Sequence, residues 1–413
     1  MPKSFLPALC TRIILSRALV LTVVATPPGA ASPSDAAAAA PPPVRGVWVA
    51  GPQHNGFWGS REALRAELQQ FKAAGLNSVY LVVWMQGRTL YPSERMARLT
   101  GQRQLESLGG RDVLQEVLDE AGPLGLRVVA WLEFGFASHH EPFELPGPTL
   151  LQRFPHWAAL GRDGLPVRKN GFAWMNALDP EVQQLLTDLC LELLRRYPKL
   201  AGIQGDDRLP ALPSSAGHNP ALRAAWRAAH AGREPPADDH DPQWLQWRAD
   251  QLSAFLRRLR ATLKAERPDA VLSLAPSPYP WGLQEYLQDW PTWLREGLAD
   301  ELLPQLYRRD LASYQRLLRE TQALLPPGAS ARVFPGLLLA LGPQVLPSER
   351  LLAQWIEATR AAGFGGEVYF HSRGVAPRAA VLRRAYLPEP SAQAASSSAS
   401  TSAASRPSWS SSR

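Results

Sequence analysis

Two adjacent carboxylates follow a short apolar stretch near the middle of the chain. The residues Gly202-Ile203-Gln204-Gly205 lead directly into Asp206 and Asp207, and a run rich in Pro, Ser and Gly comes next. This order predicts a short buried strand that ends at a loop. Because strand side chains alternate between two faces, Gln204 and Asp206 share one face and Asp207 takes the other. The alternative is that both aspartates only cap the following turn.

Carboxylate, amide and aromatic side chains also stand at the ends of other predicted strands. Trp131 shares a face with Glu133, Gln305 shares a face with Tyr307, and His371 ends the last strand. Aromatic rings stack on the C–H face of a pyranose, while acids and amides bond its hydroxyl groups. These residues therefore predict a carbohydrate site, although aromatic side chains and a lone histidine also serve structural roles.

Hydrolysis of a glycosidic bond usually needs two carboxyl groups. One protonates the leaving oxygen, and the other attacks the sugar or activates water. Because neighbouring strands lie about 4.8 Å apart, we expect Glu133 and Asp206 to face each other across a cleft. We predict that Asp206 is the nucleophile or base, that Glu133 is the proton donor and that Asp207 supports them. A salt bridge between Glu133 and an arginine in the cleft is the alternative.

The elements that position these residues alternate regularly along the chain. Eight nearly continuous apolar runs predict buried parallel strands, separated by amphipathic patterns of helical length. The predicted strands are 45–50, 78–84, 127–134, 202–206, 270–275, 302–307, 333–339 and 367–371. The fold class is therefore α/β, and the expected architecture is a (β/α)₈ TIM barrel, in which catalytic groups lie at the carboxyl ends of strands. A doubly wound open sheet is the alternative, but the Gly-rich loop expected after its first strand is absent.

Composition divides the chain into four predicted segments. Residues 1–31 combine positive charge, a short apolar core and small residues, which predicts a signal peptide. An Ala/Pro-rich linker (32–43), the barrel (44–390) and a disordered Ser/Ala-rich tail (391–413) follow. Long loops are predicted after the third and fourth strands, at 135–179 and 208–241. We therefore expect an exported protein, periplasmic or extracellular; a misassigned start or a disordered leader is the alternative for the first segment.

Composition also limits the classes of partner. The chain of 413 residues has a formal net charge of +7, but its basic residues are scattered and form no block typical of a nucleic-acid tail. The apolar core of the leader is too short to span a bilayer stably. Cys10 and Cys190 are the two cysteines, and no Cys or His spacing indicates a metal site. We therefore expect no metal, no cofactor, no nucleic acid and no stable membrane span.

An ordered series of motifs over residues 44–375 resembles the glycosyl-hydrolase-like 10 family. Its members here include Arg45-Gly46-Val47-Trp48-Val49, Leu90-Tyr91-Pro92-Ser93, Asn176-Ala177-Leu178-Asp179-Pro180, the Gln204-to-Asp207 stretch and Pro304-Gln305-Leu306-Tyr307. The resemblance implies a (β/α)₈ barrel related to α-amylase-like hydrolases. In those proteins, the fourth-strand acid that follows a polar inward side chain by two residues is the nucleophile, and that acid corresponds to Asp206.

The resemblance also bears on the substrate and on the binding residues. Characterised relatives include an envelope enzyme that cleaves peptidoglycan glycan strands lacking stem peptides. The sequence departs from the family pattern at Ala177, where Pro is usual, at Arg208, where an aromatic residue is common, and in lacking the fifth-strand Glu of α-amylase-like enzymes. The predicted substrate-binding residues are Trp131, Asn176, Gln204, Arg208, Gln305, Tyr307 and His371.

The predicted function is an exported glycoside hydrolase that acts on a bacterial envelope polysaccharide, with peptidoglycan glycan strands as the expected substrate. A non-catalytic glycan-binding barrel is the main alternative, and the missing fifth-strand Glu supports it. A deacetylase is disfavoured because the sequence shows no clear metal triad, whereas a transglycosylase would use the same site. The predicted partner is thus a polysaccharide, and the oligomeric state is left open.

Overall fold

The computed structural model describes residues 43–52, 56–142, 146–341 and 347–387. The predicted signal peptide, all but the last residue of the linker, and the predicted tail lie outside the described residues. Within those described ranges, no helix is both long enough and apolar enough to cross a membrane.

Eight parallel strands form the main sheet. We number them β1 to β8: Val44–Val49, Ser78–Val82, Arg127–Leu132, Gly202–Gly205, Val271–Leu274, Glu301–Leu302, Gly336–Leu338 and Gly366–Phe370. The order across the sheet is β6-β5-β4-β3-β2-β1-β8-β7. Each strand thus lies beside its neighbour in the chain, and β1 lies beside β8.

The sheet closes between its two outer strands. Leu302 of β6 pairs in parallel with Val333, just before β7. The amide of Phe334 donates to the Leu302 carbonyl at 2.8 Å, and the amide of Gly336 donates to the Pro304 carbonyl at 2.8 Å. These bonds join β6 to the β7 segment, so the predicted eight-stranded parallel barrel is confirmed.

Helices cover the outside of the barrel and fill several connections. We number them α1 to α12: Arg61–Ala73, Glu94–Thr100, Val113–Ala121, Leu150–Arg153, Pro180–Arg196, Pro220–Ala229, Pro242–Glu266, Trp281–Tyr286, Trp290–Arg295, Leu311–Gln322, Glu349–Ala361 and Val375–Tyr386. Local sequence explains several starts. Asp179, for example, accepts bonds from the Glu181 and Val182 amides, and Pro180 occupies the first helical position.

Several short helices and strands in the connections between barrel strands were not predicted from the sequence. The segment after β3 contains α4 and a small antiparallel sheet, whose strands are Ala137–His140, Arg168–Lys169 and Phe172–Trp174. The segment after β4 contains α6, and a short hairpin of Trp84–Met85 with Arg88–Thr89 follows β2. Such two- to four-residue strands are too short to produce a readable alternation. The predicted strand 302–307 also ends early, because Pro304 has no amide to donate to a ladder.

An aromatic and amide layer fills the barrel interior below the strand ends. Trp48 of β1 donates its indole N–H to Gln204 Oε1 at 2.7 Å, and Gln204 Nε2 donates to Ser273 Oγ at 2.9 Å. Because β1 and β4 are not neighbours in the sheet, their side chains meet only inside the barrel. Gln204 therefore faces the interior, as its place in the strand predicts, and its buried amide is satisfied on both sides.

Candidate active site

A cavity of about 340 Å³ opens at the carboxyl ends of the barrel strands. Its wall combines acids, arginines and apolar groups from the ends of β3, β4, β6, β7 and β8. The lining residues are Glu133, Asp206, Asp207, Arg208, Gln305, Tyr307, Arg308, Arg309, Leu338, Leu341 and Phe370. All three predicted catalytic acids therefore share one cavity.

Adjacent strands place Glu133 and Asp206 side by side. Leu132 of β3 lies opposite Gly205 of β4, and each acid is the next residue of its strand segment. Asp206 is almost fully buried, and its Oδ1 accepts a hydrogen bond from Gln305 Nε2 at 2.6 Å. The parallel register thus delivers the two predicted catalytic carboxyl groups to the same side of the barrel mouth.

The guanidinium of Arg208 connects the acids. Its Nη2 lies 3.1 Å from Asp206 Oδ2, and its Nη1 lies 2.8 Å from Asp207 Oδ1. Its Nε donates to the backbone carbonyl of Glu133 at 2.9 Å. The same group lies 4.6 Å from the ring centre of Phe172, which covers one of its faces. The planar fork of arginine allows these bonds to form at once, which an ammonium group does not reproduce.

The two aspartates share a strongly perturbed environment. Burial raises the pKa of Asp206 well above its usual range, the charge of Asp207 raises it further, and Arg208 opposes both effects. Burial also raises the pKa of Asp207, again against Arg208. Three carboxyl groups thus face one guanidinium, so full ionisation of all three is electrostatically unfavourable.

The carboxyl group of Glu133 has little hydrogen-bond support. Its side chain is partly exposed, yet Oε2 is shielded from water and accepts no hydrogen bond from a described residue. Burial raises the pKa of Glu133 to about 7, with Arg208 lowering it and the charge of Asp207 raising it. A carboxyl group with such a pKa retains a proton near neutrality, as a general acid requires.

Three predicted substrate-binding residues line the cavity: Arg208, Gln305 and Tyr307. The ring of Tyr307 packs edge-on against Trp48 at 6.5 Å and lies 5.2 Å from Phe370. Arg208 and Gln305 both bond Asp206, so they position the acid in addition to facing the cavity.

The other four predicted binding residues are not among those that line the cavity. Trp131 and Gln204 belong to the buried interior layer, and the Gln204 amide is already bonded on both sides. Asn176 is buried and its Oδ1 accepts from the Leu178 amide at 3.2 Å. His371 is buried directly after β8. For these residues substrate contact stays a prediction. The alternation of side chains along a strand predicts which face a residue occupies, but it does not predict how deeply the side chain is buried.

Sequence reasoning missed several residues of the wall. Arg309, Leu338, Leu341, Arg308 and Phe370 line the cavity but were not among the predicted site residues. Arg308, Arg309 and Phe370 follow or end barrel strands, which was the available signal. Leu341 lies three residues beyond β7, in a connection whose course has no periodicity to read.

The turn after β3 approaches the acid-bearing segment very closely. Gly135 has φ +45°, and a Cβ at this position would lie 2.2 Å from the backbone oxygen of Arg208. The next amide, that of Phe136, donates to the same oxygen at 2.9 Å. Glycine is required here because the left-handed backbone and the close approach both exclude a side chain.

We expect Gly135→Ala to lower the free energy of unfolding by about 3 kcal/mol, because the added Cβ forces the Arg208 backbone away. Gly101→Ala is the matched control: Gly101 also has positive φ, but a Cβ there meets nothing within 4 Å. That variant is expected to lose about 1 kcal/mol, from backbone strain alone. Urea unfolding of both variants measures the difference, and equal losses would show that the close approach has no cost.

We expect Glu133→Gln to change the pH dependence of stability. The pKa of Glu133 is raised to about 7 in the folded protein. The proton on Glu133 therefore stabilises the folded state relative to the unfolded state, and this stabilisation is complete below the pKa of the unfolded state, near 4.5. That stabilisation is lost as pH rises to about 7, whereas glutamine does not titrate. Wild type should therefore lose stability relative to the variant between pH 4.5 and 7, in urea unfolding at stepped pH. A difference that stays constant over this range would contradict the assignment.

No group of three or more His, Cys, Asp or Glu side chains within the described ranges is arranged to hold a metal ion. Asp206 is instead paired with Arg208 and Gln305, and Asp207 is paired with Arg208.

Solved structures with a similar fold are glycosidases of several kinds. The glycoside hydrolase domain of PgaB (BpsB) from Bordetella bronchiseptica aligns with a TM-score of 0.61 at 16% identity, covering 84% of this chain and all of that domain. The catalytic domain of a β-amylase from Paenibacillus polymyxa aligns with a TM-score of 0.57 at 11% identity, covering 80% and 92%. At these identities the likeness concerns the fold.

Curated relatives are more similar in sequence. The proteins named Glycosyl hydrolase DigH from Escherichia coli (strain K12) and Shigella flexneri are each 25% identical over 284 residues, covering 63% of this chain. The match spans 61% of the length of these relatives.

The family comparison covers more than half of the chain. The sequence profile of the family described as Glycosyl hydrolase-like 10 matches residues 43–326, from β1 to just beyond α10. This range includes the acids of the cavity together with Arg208, Gln305 and Tyr307, and the description agrees with the predicted enzyme class. The chain belongs to the Glycosyl hydrolase-like 10 family.

Proposed function

We propose that this protein is a glycoside hydrolase that cleaves a bacterial envelope polysaccharide. One observation carries the proposal: Glu133 and Asp206 end adjacent strands in one cavity, in opposite surroundings. Asp206 accepts hydrogen bonds from Gln305 and Arg208, and Glu133 Oε2 accepts none from the described residues. A pair of carboxyl groups with divergent environments is what acid/base cleavage of a glycosidic bond needs.

The different surroundings of the two acids support different roles for them. Glu133 donates its proton to the glycosidic oxygen as the bond from that oxygen to the anomeric carbon breaks. Asp206 attacks the anomeric carbon or activates a water molecule in its ionised form, which Arg208 and Gln305 support against the burial that raises its pKa. Asp207 supports them by sharing Arg208, which holds the negative charge of the pair in place.

The proposed substrate is the glycan strand of peptidoglycan. Arg308 and Arg309 line the cavity. Their positive charge favours a glycan that carries carboxylates. Peptidoglycan strands without stem peptides carry such a group on each muramic acid. The proposed location is outside the cytoplasm, on the basis of the leader-like residues 1–31.

A second candidate is a glycan-binding barrel without catalytic activity. The segment after β5, Ala275-Pro276-Ser277, brings no Glu to the site, unlike the fifth strand of α-amylase-like enzymes. Cleavage assays separate the two candidates, because binding alone releases no product.

We expect Asp206→Asn to lower cleavage of purified peptidoglycan by about a thousandfold, because an amide neither attacks nor accepts the proton. The assay measures soluble glycan fragments from peptidoglycan with and without its stem peptides. Asp269→Asn is the matched control, since Asp269 is exposed before β5, at the opposite end of the barrel. Glycan binding by wild type without any product would support the non-catalytic candidate. Product release by Asp206→Asn at the wild-type rate would exclude Asp206 as the nucleophile or base.

We expect kcat/KM for cleavage to fall as pH rises above about 7, because the proposed acid Glu133 loses its proton with a pKa of about 7. In Glu133→Gln the activity should be low throughout and this alkaline limb should disappear. A pH–rate profile of both proteins tests the role. Retention of the alkaline limb in the variant would assign the proton donor to another group.

A further inference from the structure

One aromatic side chain at the barrel mouth is unusually exposed. The large apolar side chains with the greatest exposure in the described ranges are Leu165, Trp281, Leu341 and Leu387. Trp281 is the aromatic member of this set, with 47% of its surface accessible. Exposing half of an indole to water is unfavourable, and such a ring at a functional edge indicates a binding surface.

Trp281 stands on the same end of the barrel as the acids. It opens α8, seven residues after the end of β5, and packs against Tyr286 at the end of that helix with ring centres 5.4 Å apart. The Tyr286 ring lies 5.7 Å from Trp174, and its hydroxyl accepts from Asn170 Nδ2 at 2.6 Å. Trp281 is therefore the exposed end of a buried aromatic row.

This aromatic row adjoins the catalytic carboxylates. The strand Phe172–Trp174 supplies both Trp174, which packs on Tyr286, and Phe172, which covers the Arg208 guanidinium at 4.6 Å. Burial raises the pKa of Tyr286 to about 12, and the charge of Asp207 contributes to the increase. The ring of Tyr286 thus contacts Trp281 and lies within electrostatic range of Asp207.

The support of Trp281 is tied to the segment that follows the acids. The amide of Leu212 donates to the Tyr286 carbonyl at 3.1 Å, and that of Ser214 donates to the Glu285 carbonyl at 3.0 Å. Gln288 accepts from the Ser277 amide at 3.0 Å, at the other end of the connection. Since these bonds join the β4 and β5 connections, Trp281 is presented by a fixed surface.

The surroundings of Trp281 suit a sugar ring. Its neighbour Tyr286 lies under Lys169 Nζ at 4.7 Å, and Lys169 forms an ion pair with Glu285 at 2.5 Å. Asn170 adds an amide group beside them. An exposed indole packed on a ring that carries charged and amide neighbours matches a pyranose, which has an apolar C–H face and a polar rim.

We propose that Trp281 is a sugar-stacking platform that binds a pyranose unit of a polymeric glycan, outside the cavity that holds the acids. Leu341, which is also exposed, lines the cavity beyond β7. Trp281 belongs to the β5 connection and is not among the residues that line the cavity, so a ligand that reaches both is a chain of several sugars. This inference rests on the proposed function and adds that the substrate is several sugar units long.

The test measures binding separately from cleavage. Trp281→Ala and Trp281→Tyr are made in the full chain carrying Asp206→Asn, and titration calorimetry measures Kd for two probes. The probes are peptidoglycan glycan strands freed of stem peptides and their disaccharide unit. We expect Trp281→Ala to raise Kd for the strands about tenfold, Trp281→Tyr to recover most of the loss, and Kd for the disaccharide to be unchanged.

Leu387→Ala serves as the matched control, because Leu387 is similarly exposed at the end of α12 and its side chain lies against Gly75 before β2, at the other end of the barrel. Equal strand affinity of Trp281→Ala and its parent, or no strand binding by the parent, would overturn the platform. If wild type cleaves the strands but binding does not depend on Trp281, the proposed platform is rejected and the proposed hydrolase is retained. If binding depends on Trp281 but wild type releases no product, the proposed platform is retained and the proposed hydrolase is rejected.

Discussion

The ion pairing of Arg208 with Asp206 and Asp207 is the interaction on which the site depends. Withdrawing two carboxylates from water costs several kcal/mol each, and one neighbouring guanidinium offsets part of that cost. Arg208 also bonds the backbone carbonyl of Glu133, so one side chain fixes the positions of all three acids. Its removal would leave the acids buried without compensation, which is a larger penalty than the net value of the pair.

The backbone around Arg208 is built to permit this arrangement. Gly135 approaches the Arg208 carbonyl, and a Cβ on Gly205 would lie 2.2 Å from the Leu209 carbonyl, so both turns need glycine. Below the acids lies an uncharged layer in which Trp48, Gln204 and Ser273 are joined by hydrogen bonds. Both the oxygen and the nitrogen of the Gln204 amide have a partner in this layer. The charges therefore rest on a rigid and electrically neutral layer, which keeps their mutual distances fixed.

The sequence predicted the barrel and the acids of its mouth because both follow from periodic patterns. Strand parity placed Gln204 inside and Asp206 at the site, and the parallel register brought Glu133 beside it. Parity does not give depth, so substrate contact of Gln204 and Trp131, which are buried in the barrel interior, stays a prediction. The wall residue Leu341 comes from a connection between regular elements, where the course of the chain depends on tertiary contacts.

The charge balance of the cavity links its stability to its chemistry. Three carboxyl groups share one buried guanidinium, so the arrangement is most stable when one carboxyl group keeps a proton. Asp206 and Asp207 both pair with Arg208, whereas the Glu133 side chain pairs with it through neither oxygen at salt-bridge distance in the described structure. We assign that proton to Glu133, because Arg208 and Gln305 support the ionised form of Asp206 against the burial that raises its pKa. The cluster is costly to bury because it holds fewer positive charges than carboxyl groups. For the same reason one carboxyl group keeps its proton and serves as the acid while another is ionised and serves as the base, as cleavage of a glycosidic bond requires.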